Sequence, residues 1–241
     1  MSPRKFAPTR WTLIAAANGA DEAEAKAALE ELCSAYWYPL YAYVRSRGHE
    51  PQDAEDLVQG FFLRLVERDY FAAAKPERGK LRTFLLHQLN CHLADSARHQ
   101  SAQKRCSDRP LLRFDASHAE AAYAAEPAIN DTPEILYQRR WALTVVAQAI
   151  ETLEAHYKEN DRSQEFALLS PALTEPTATA LDTTAVAAAL TIPRAHVRVR
   201  VHRLRTRFRQ VLTAQVASTL HTTSKIELAE ELKALLDALR V

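Results

Sequence analysis

The stretch VRVRVHRL, residues 197–204, can be read in two ways. Apolar and basic residues alternate from Val197 to His202, which is the period of a half-buried strand. In its longer setting, IPRAHVRVRVHRLRTRFRQ (Ile192 to Gln210), the apolar residues Val197, Val201, Leu204, Phe208 and Val211 recur at spacings of four, three, four and three, which places them on one face of a helix. Pro193 favours the helix, because proline suits a first helical turn and interrupts a paired strand. The stretch also holds seven arginines, two histidines and no acidic residue, in a chain whose formal net charge is +1.

Just upstream lies TTAVAAAL (Thr183 to Leu190), a compact helix for which Asp182 or Thr183 is the N-cap, and then the three residues TIP. A short helix, a tight turn and a longer basic helix make a helix-turn-helix, in which the first helix braces the second and the second enters the major groove. With Val197, Val201, Leu204 and Phe208 inward, the exposed arc is Arg194, His196, Arg198, Val199, His202 and Arg203. Arginine suits such an arc because its planar fork reads guanine O6 and N7 or clamps a phosphate. The competing reading is a solvated basic helix or an RNA-binding arm.

Composition narrows the class. Four glycines in 241 residues, with abundant alanine, leucine, arginine and glutamate, exclude a turn-rich β architecture and predict an all-α chain. The three cysteines, Cys33, Cys91 and Cys106, lack a C-x-x-C spacing and are odd in number, against a disulfide framework or a zinc finger. MSPRKFAPTRW has no apolar signal core and no stretch is long enough to span a bilayer, so a cytoplasmic protein is expected. Charge is segregated: Glu50 to Asp69 holds six acids against two arginines, Lys75 to Arg109 eight bases against three acids, and Asp115 to Glu134 five acids and neither lysine nor arginine. Two basic segments separated by an acidic one suggest two surfaces for a polyanion.

Helical period runs through Ala23 to Leu32, Tyr36 to Val44, and most clearly Ala54, Leu57, Val58, Phe61, Phe62, Leu65 and Val66, with Asp53 as N-cap. After a loop with Pro76 and Gly79, Leu81 to Ala97 gives a helix whose stripe is Phe84, Leu85, Leu89, Leu93 and Ala97. Residues 107–133 read as an acidic linker with short helical pieces. Further helices are expected over Pro133 to Tyr157, Glu165 to Leu169 and Lys225 to Leu239, with Trp11, Trp37 and Trp141 as core anchors.

DAEDLVQGFFLRL (Asp53 to Leu65) leaves Asp56, Gln59, Gly60 and Leu63 as a second stripe, which read alone is first an ordinary solvated face, although an exposed leucine flanked by Asp and Gln also suggests a protein-binding surface rather than a catalytic one. Followed by ERGKLRTFLLHQLNCHLADSARHQSAQKR, it resembles the second region of bacterial sigma factors of the sigma-70 family, extracytoplasmic-function type. TTAVAAALTIPRAHVRVRVHRLRTRF resembles their fourth region, and the order and distance of the two matches agree with that family.

The resemblance implies two DNA-binding helical domains: region 2 over residues 9–106, linker 107–133, region 4 over 134–212 with its helix-turn-helix at 183–208, and a C-terminal helical extension over 213–241. It puts Asp53, Asp56, Gln59 and Leu63 against core RNA polymerase. On minus-ten DNA it puts Phe84, His87, Asn90 and Cys91 at bases and Lys80, Arg82, Arg98, Lys104 and Arg105 at phosphates, with the loop Ala73 to Gly79 as a pocket for a flipped base. Arg194, His196, Arg198, Val199, His202 and Arg203 fall on the minus-thirty-five element. It implies promoter DNA and core polymerase as partners and leaves open an anti-sigma regulator, with no cofactor, no metal, no membrane and no small-molecule substrate expected. The chain departs from the family in Gly60, where an acid is frequent, in Phe84 for tryptophan, and in Asp182 to Ala188, which lack the usual aromatic and acidic pair.

Two rivals stand beside this reading. One is a helix-turn-helix regulator acting on duplex DNA without polymerase. The other is a metal-dependent hydrolase using His92, Asp95 and His99, set on one helical face but beside Arg98 and Lys104, which would repel a cation. The extension Lys225 to Leu239, with Ile226, Leu228, Leu232, Leu235, Leu236 and Leu239, is expected first to fold back on the fourth-region domain, with dimerisation and regulation in cis as the alternatives.

Overall fold

The computed structural model describes residues 35–67, 80–100, 116–124, 131–174, 181–220 and 224–240, with backbone alone for 66–67, 99–100 and 116–118. The fold is all-α: α1 over 35–46, then α2 (Pro51–Glu67), α3 (Leu81–Gln100), α4 (Ala116–Ala124), α5 (Pro133–Glu159), α6 (Ser163–Leu169), α7 (Pro171–Thr174), α8 (Thr183–Ala189), α9 (Arg194–Ser218) and α10 (Lys225–Leu239). No strand occurs among the described residues. The chain divides into two compact units, Met1–Thr144 with Val216–Val241, and Val145–Gln215.

The first unit is centred on α1, α2, α3 and the start of α5. Tyr36, Leu40, Tyr41 and Val44 of α1, Val58, Phe61 and Phe62 of α2, Leu81, Leu85 and Leu89 of α3, and Tyr137 and Trp141 of α5 are all buried. Each such side chain withdrawn from water contributes roughly 1.5–3 kcal/mol. Trp37 is buried as expected, and Trp11 lies outside the described residues. α1 closes at Gly48, whose φ of 88° is one a β-carbon resists.

Helix α2 begins two residues before the expected cap. Pro51, with its φ already helical, takes the first position, and Ala54 N donates to Glu50 O at 2.9 Å to close the turn. Asp53 therefore lies inside the first turn, where its charge still complements the helix dipole. On α3 the buried stripe is Leu81, Leu85, Leu89 and Leu93; Ala97 is exposed and Phe84 half-buried, so the apolar seam ends a turn earlier than the spacing predicts.

Part of the stretch read as a linker is the helix α4, docked within the first unit. Its Glu120 accepts from Arg45 Nε at 2.9 Å, Arg45 Nη2 at 2.8 Å and Tyr41 Oη at 2.5 Å. α10 belongs to this unit as well. Its ionic partners are Lys80 and Arg82, not the fourth-region segment that was expected to seat it.

The second unit packs Leu153 and Tyr157 of α5, Phe166 and Leu169 of α6, Val186 of α8, and Val197 and Leu204 of α9 into one core. Val201 and Phe208 are partly buried against it. The helical reading of VRVRVHRL is therefore the observed one, and Val197, with no exposure, faces inward. Val197→Asp would break this packing by placing an unpaired carboxylate in the core.

Candidate nucleic-acid interface

The segment α8, turn and α9 is assembled by local hydrogen bonds that can be traced residue by residue. Asp182 is the N-cap of α8: its Oδ1 accepts from Thr184 N at 2.9 Å and Ala185 N at 3.2 Å. The Ala185 and Thr184 amides hold its carboxyl below the usual carboxylate range. At the other end Ile192 N donates to Ala187 O at 3.0 Å and Thr191 N to Ala188 O at 3.2 Å, the paired bonds of a Schellman turn. Ile192 and Ala187 then meet on the core. The turn requires Thr191 at φ 52°, a left-handed conformation rare for a β-branched residue.

From this turn α9 emerges with Arg194, His196, Arg198, Val199, His202 and Arg203 all exposed, as the helical reading requires. Val199 is 46% exposed among these bases. Arg194 Nε donates to Thr183 Oγ1 at 2.9 Å, which ties the start of α9 to the start of α8. Two further arginines of α9 are used internally. Arg200 Nη1 donates to Glu165 Oε2 at 2.5 Å, and Arg205 donates from Nε and Nη2 to Ala172 O at 3.1 and 2.8 Å. Arg198 and Arg203, by contrast, have no ion pair or side-chain hydrogen bond among the described residues. The free positive charge is thus concentrated on the outer arc.

On α2, Asp53 and Asp56 are exposed, Gln59 is half-buried and donates to Glu55 Oε1 at 2.8 Å, and Leu63 is half-buried rather than exposed. On α3, His87 and Cys91 are exposed neighbours one turn apart, with Sγ and Nε2 3.9 Å from each other. Asn90 Oδ1 accepts from Tyr43 Oη at 2.9 Å and Arg47 Nη1 at 2.7 Å, so its oxygen is already engaged. Arg98 is exposed and pairs with Asp95 at 3.6 Å. Lys104, Arg105 and the loop 73–79 lie outside the described residues.

Lys80, just ahead of α3, and Arg82 differ from Arg98. Arg82 is only 8% exposed and its guanidinium lies 4.6 Å from the Trp141 ring centroid. Glu231 of α10, 1% exposed, accepts from Arg82 Nε at 2.6 Å and Nη2 at 3.2 Å, and pairs with Lys80 Nζ at 2.6 Å. Burial pushes the Glu231 carboxyl up, but the bonds from Arg82 and Lys80 outweigh it and hold the group below its ordinary value. Glu231 is not among the residues that the family resemblance singles out, although its position between Leu228 and Leu235, at spacings of three and four, marks it as lying on the apolar face.

His92 is half-buried, its Nδ1 3.0 Å from Arg64 Nη1, and Arg64 also pairs with Asp95 at 3.6 Å. Arg64 thus lies against both His92 and Asp95, and the side chain of His99 lies outside the described residues. Among the described residues no three His, Cys, Asp or Glu side chains are grouped to hold a metal, and no helix is long and apolar enough to cross a membrane. Compared with protein-family models, with curated proteins and with solved structures, the chain matches none.

Proposed function

We propose that this chain is a promoter-recognition subunit of bacterial RNA polymerase, a sigma factor of the extracytoplasmic-function type, with no covalent chemistry of its own. The observation that carries the reading is α9. Its inward residues are locked by the core, its start is tied to α8, and its outer arc presents two arginines unpaired among the described residues, two histidines and an exposed valine. That arrangement suits the major groove, where phosphate contacts set the register and base edges supply specificity.

Region 2 would be the part of the first unit built on α2 and α3. Exposed Asp53 and Asp56, with Gln59 and Leu63, would grip core polymerase. Phe84, His87, Asn90 and Cys91 would meet the opened minus-ten strand, and Lys80, Arg82, Arg98, Lys104 and Arg105 its phosphates. Strand opening would draw on binding energy for unstacked bases.

The experiment is capture of purified core polymerase by the full chain and by Asp56→Arg. Asp56 is exposed, so the substitution leaves the fold intact. Capture by the wild type and its loss in Asp56→Arg is the expected result. Equal capture by both proteins would refute the docking role of α2, and duplex binding without any capture would favour a helix-turn-helix regulator.

A further inference from the structure

We infer that α10 is an intramolecular latch whose Glu231 carboxylate occupies, in place of a nucleic-acid phosphate, the basic pair formed by Lys80 and Arg82. The inference rests on the nucleic-acid reading of the first unit and adds a regulatory contact to it.

The geometry is that of an oxyanion site. The Arg82 fork meets both Glu231 oxygens, at 2.6 and 3.2 Å, and Lys80 closes on one of them at 2.6 Å. Arginine binds a phosphate through the same two-pronged contact, with lysine adding a point charge. Trp141 fixes the guanidinium plane from behind, and the Arg82 backbone oxygen accepts from Tyr137 Oη at 2.9 Å, so the donor is held in place whichever anion it meets. Two bases face one acid, which leaves the cluster with net positive charge even when the latch is closed.

The cover is light. Of the α10 side chains only Glu231 and Leu235 are fully buried; Leu228, Leu232 and Leu239 are half-buried, while Ile226 and Leu236 are exposed. A helix of 15 residues is marginal by itself in water and holds its place by packing. Elements seated by so few buried side chains open at low free energy. Opening leaves Arg82 and Lys80 without a counter-charge, and a buried guanidinium stripped of its partner demands another anion. Backbone phosphates of promoter DNA would supply it, so DNA and α10 compete for one site.

The test uses the full chain and a labelled 20-nucleotide single strand of mixed sequence. Glu231→Gln keeps the side-chain shape and removes the charge. It should bind the strand about tenfold more tightly, and with a salt slope steeper by about 1.4, the release expected from two phosphate contacts on a single strand. Lys80→Ala in the same background should cancel much of that gain. In the wild type, saturating strand should accelerate amide hydrogen exchange along α10, a measurement that needs no variant. Equal affinity and slope for wild type and Glu231→Gln, or α10 exchange unchanged by DNA, overturns the latch while leaving DNA binding intact. Absence of binding by either protein overturns the nucleic-acid reading itself, and the latch with it.

Discussion

Arg200 Nη1 and Glu165 Oε2 stand 2.5 Å apart across 35 residues of chain, joining α9 to α6. Glu165 is buried and also takes the Arg162 fork at 2.9 Å through both oxygens. The pair withdraws one arginine from the basic helix and fixes the rotation of α9 about its axis.

Removing the acid should therefore cost stability before it costs DNA contacts. Glu165→Ala leaves Arg200 and Arg162, whose side chains are 34% and 49% exposed, without their counter-charge, and with solvent screening both it should lower the stability of the second unit by about 1–2 kcal/mol. Arg198→Ala, on the exposed arc, should stay within about 0.5 kcal/mol of wild type and lose DNA affinity instead. Burial raises the Glu165 pKa, but bonds from Arg162 and Arg200 bring it below the ordinary value of 4.5. A depressed folded pKa means stabilisation that is complete above 4.5 and is lost as pH falls through the folded value. Denaturant melts at pH 7, 4 and 3 would test both points.

Thr191 should be replaceable with profit. Its φ of 52° strains a β-branched side chain, whereas glycine adopts that region freely. Thr191→Gly should stabilise the helix-turn-helix by about 0.5–1 kcal/mol, the relieved strain exceeding glycine's extra chain entropy. Thr191→Pro, which cannot reach positive φ and lacks the donor to Ala188 O, should destabilise it by about 3 kcal/mol. Urea midpoints at constant m-value would decide the sign.

His92 should titrate far below an ordinary histidine. Burial, and then the neighbouring Arg64 guanidinium, lower its pKa to about 4. Because the folded value lies below the unfolded one, the neutral ring is favoured in the fold. Stability is then complete above the ordinary histidine value of 6.5 and declines as pH falls from 6.5 toward 4. An NMR titration of the ring protons should give a midpoint near 4, rising in Arg64→Ala. A midpoint near 6.5 would mean that the ring is solvated.

Val199 gives the outer arc of α9 an apolar contact, and if that arc enters the major groove the feature that distinguishes thymine to such a contact is its C5 methyl. Val199→Ala should relax the preference at one base position by roughly 1–3 kcal/mol, the usual cost of a mismatched pair. It should leave the salt dependence unchanged, since no charge is lost. Arg203→Ala should reduce that dependence by roughly one phosphate contact if its role is to clamp the backbone. Competition binding across a randomised duplex library separates the two outcomes.

The helical period alone marked the faces. In α9 the four-and-three spacing of Val197, Val201, Leu204 and Phe208, with Pro193 ahead of it, was enough to reject a strand and to place six side chains outside. In α2 the apolar stripe was legible in the same way, although its start was not, because Pro51 outcompeted Asp53 for the definition of the first turn. Arg200 lies three residues after Val197 and four before Leu204; Glu231 lies three after Leu228 and four before Leu235. A charge in the middle of an apolar stripe announces a buried ion pair, because a rotation of about 100° per residue leaves it no other direction to point.

The partners of those charges were not legible. Glu165 lies 35 residues from Arg200, and Glu231 lies 149 residues from Arg82. Which acid answers which base depends on which helices come together, a consequence of side-chain volume and non-local packing that local periodicity does not carry. Sequence by itself determined an all-α chain with a basic helix facing outward. Only the tertiary structure decided that the C-terminal helix seats on the first unit and that Glu231 there covers Lys80 and Arg82.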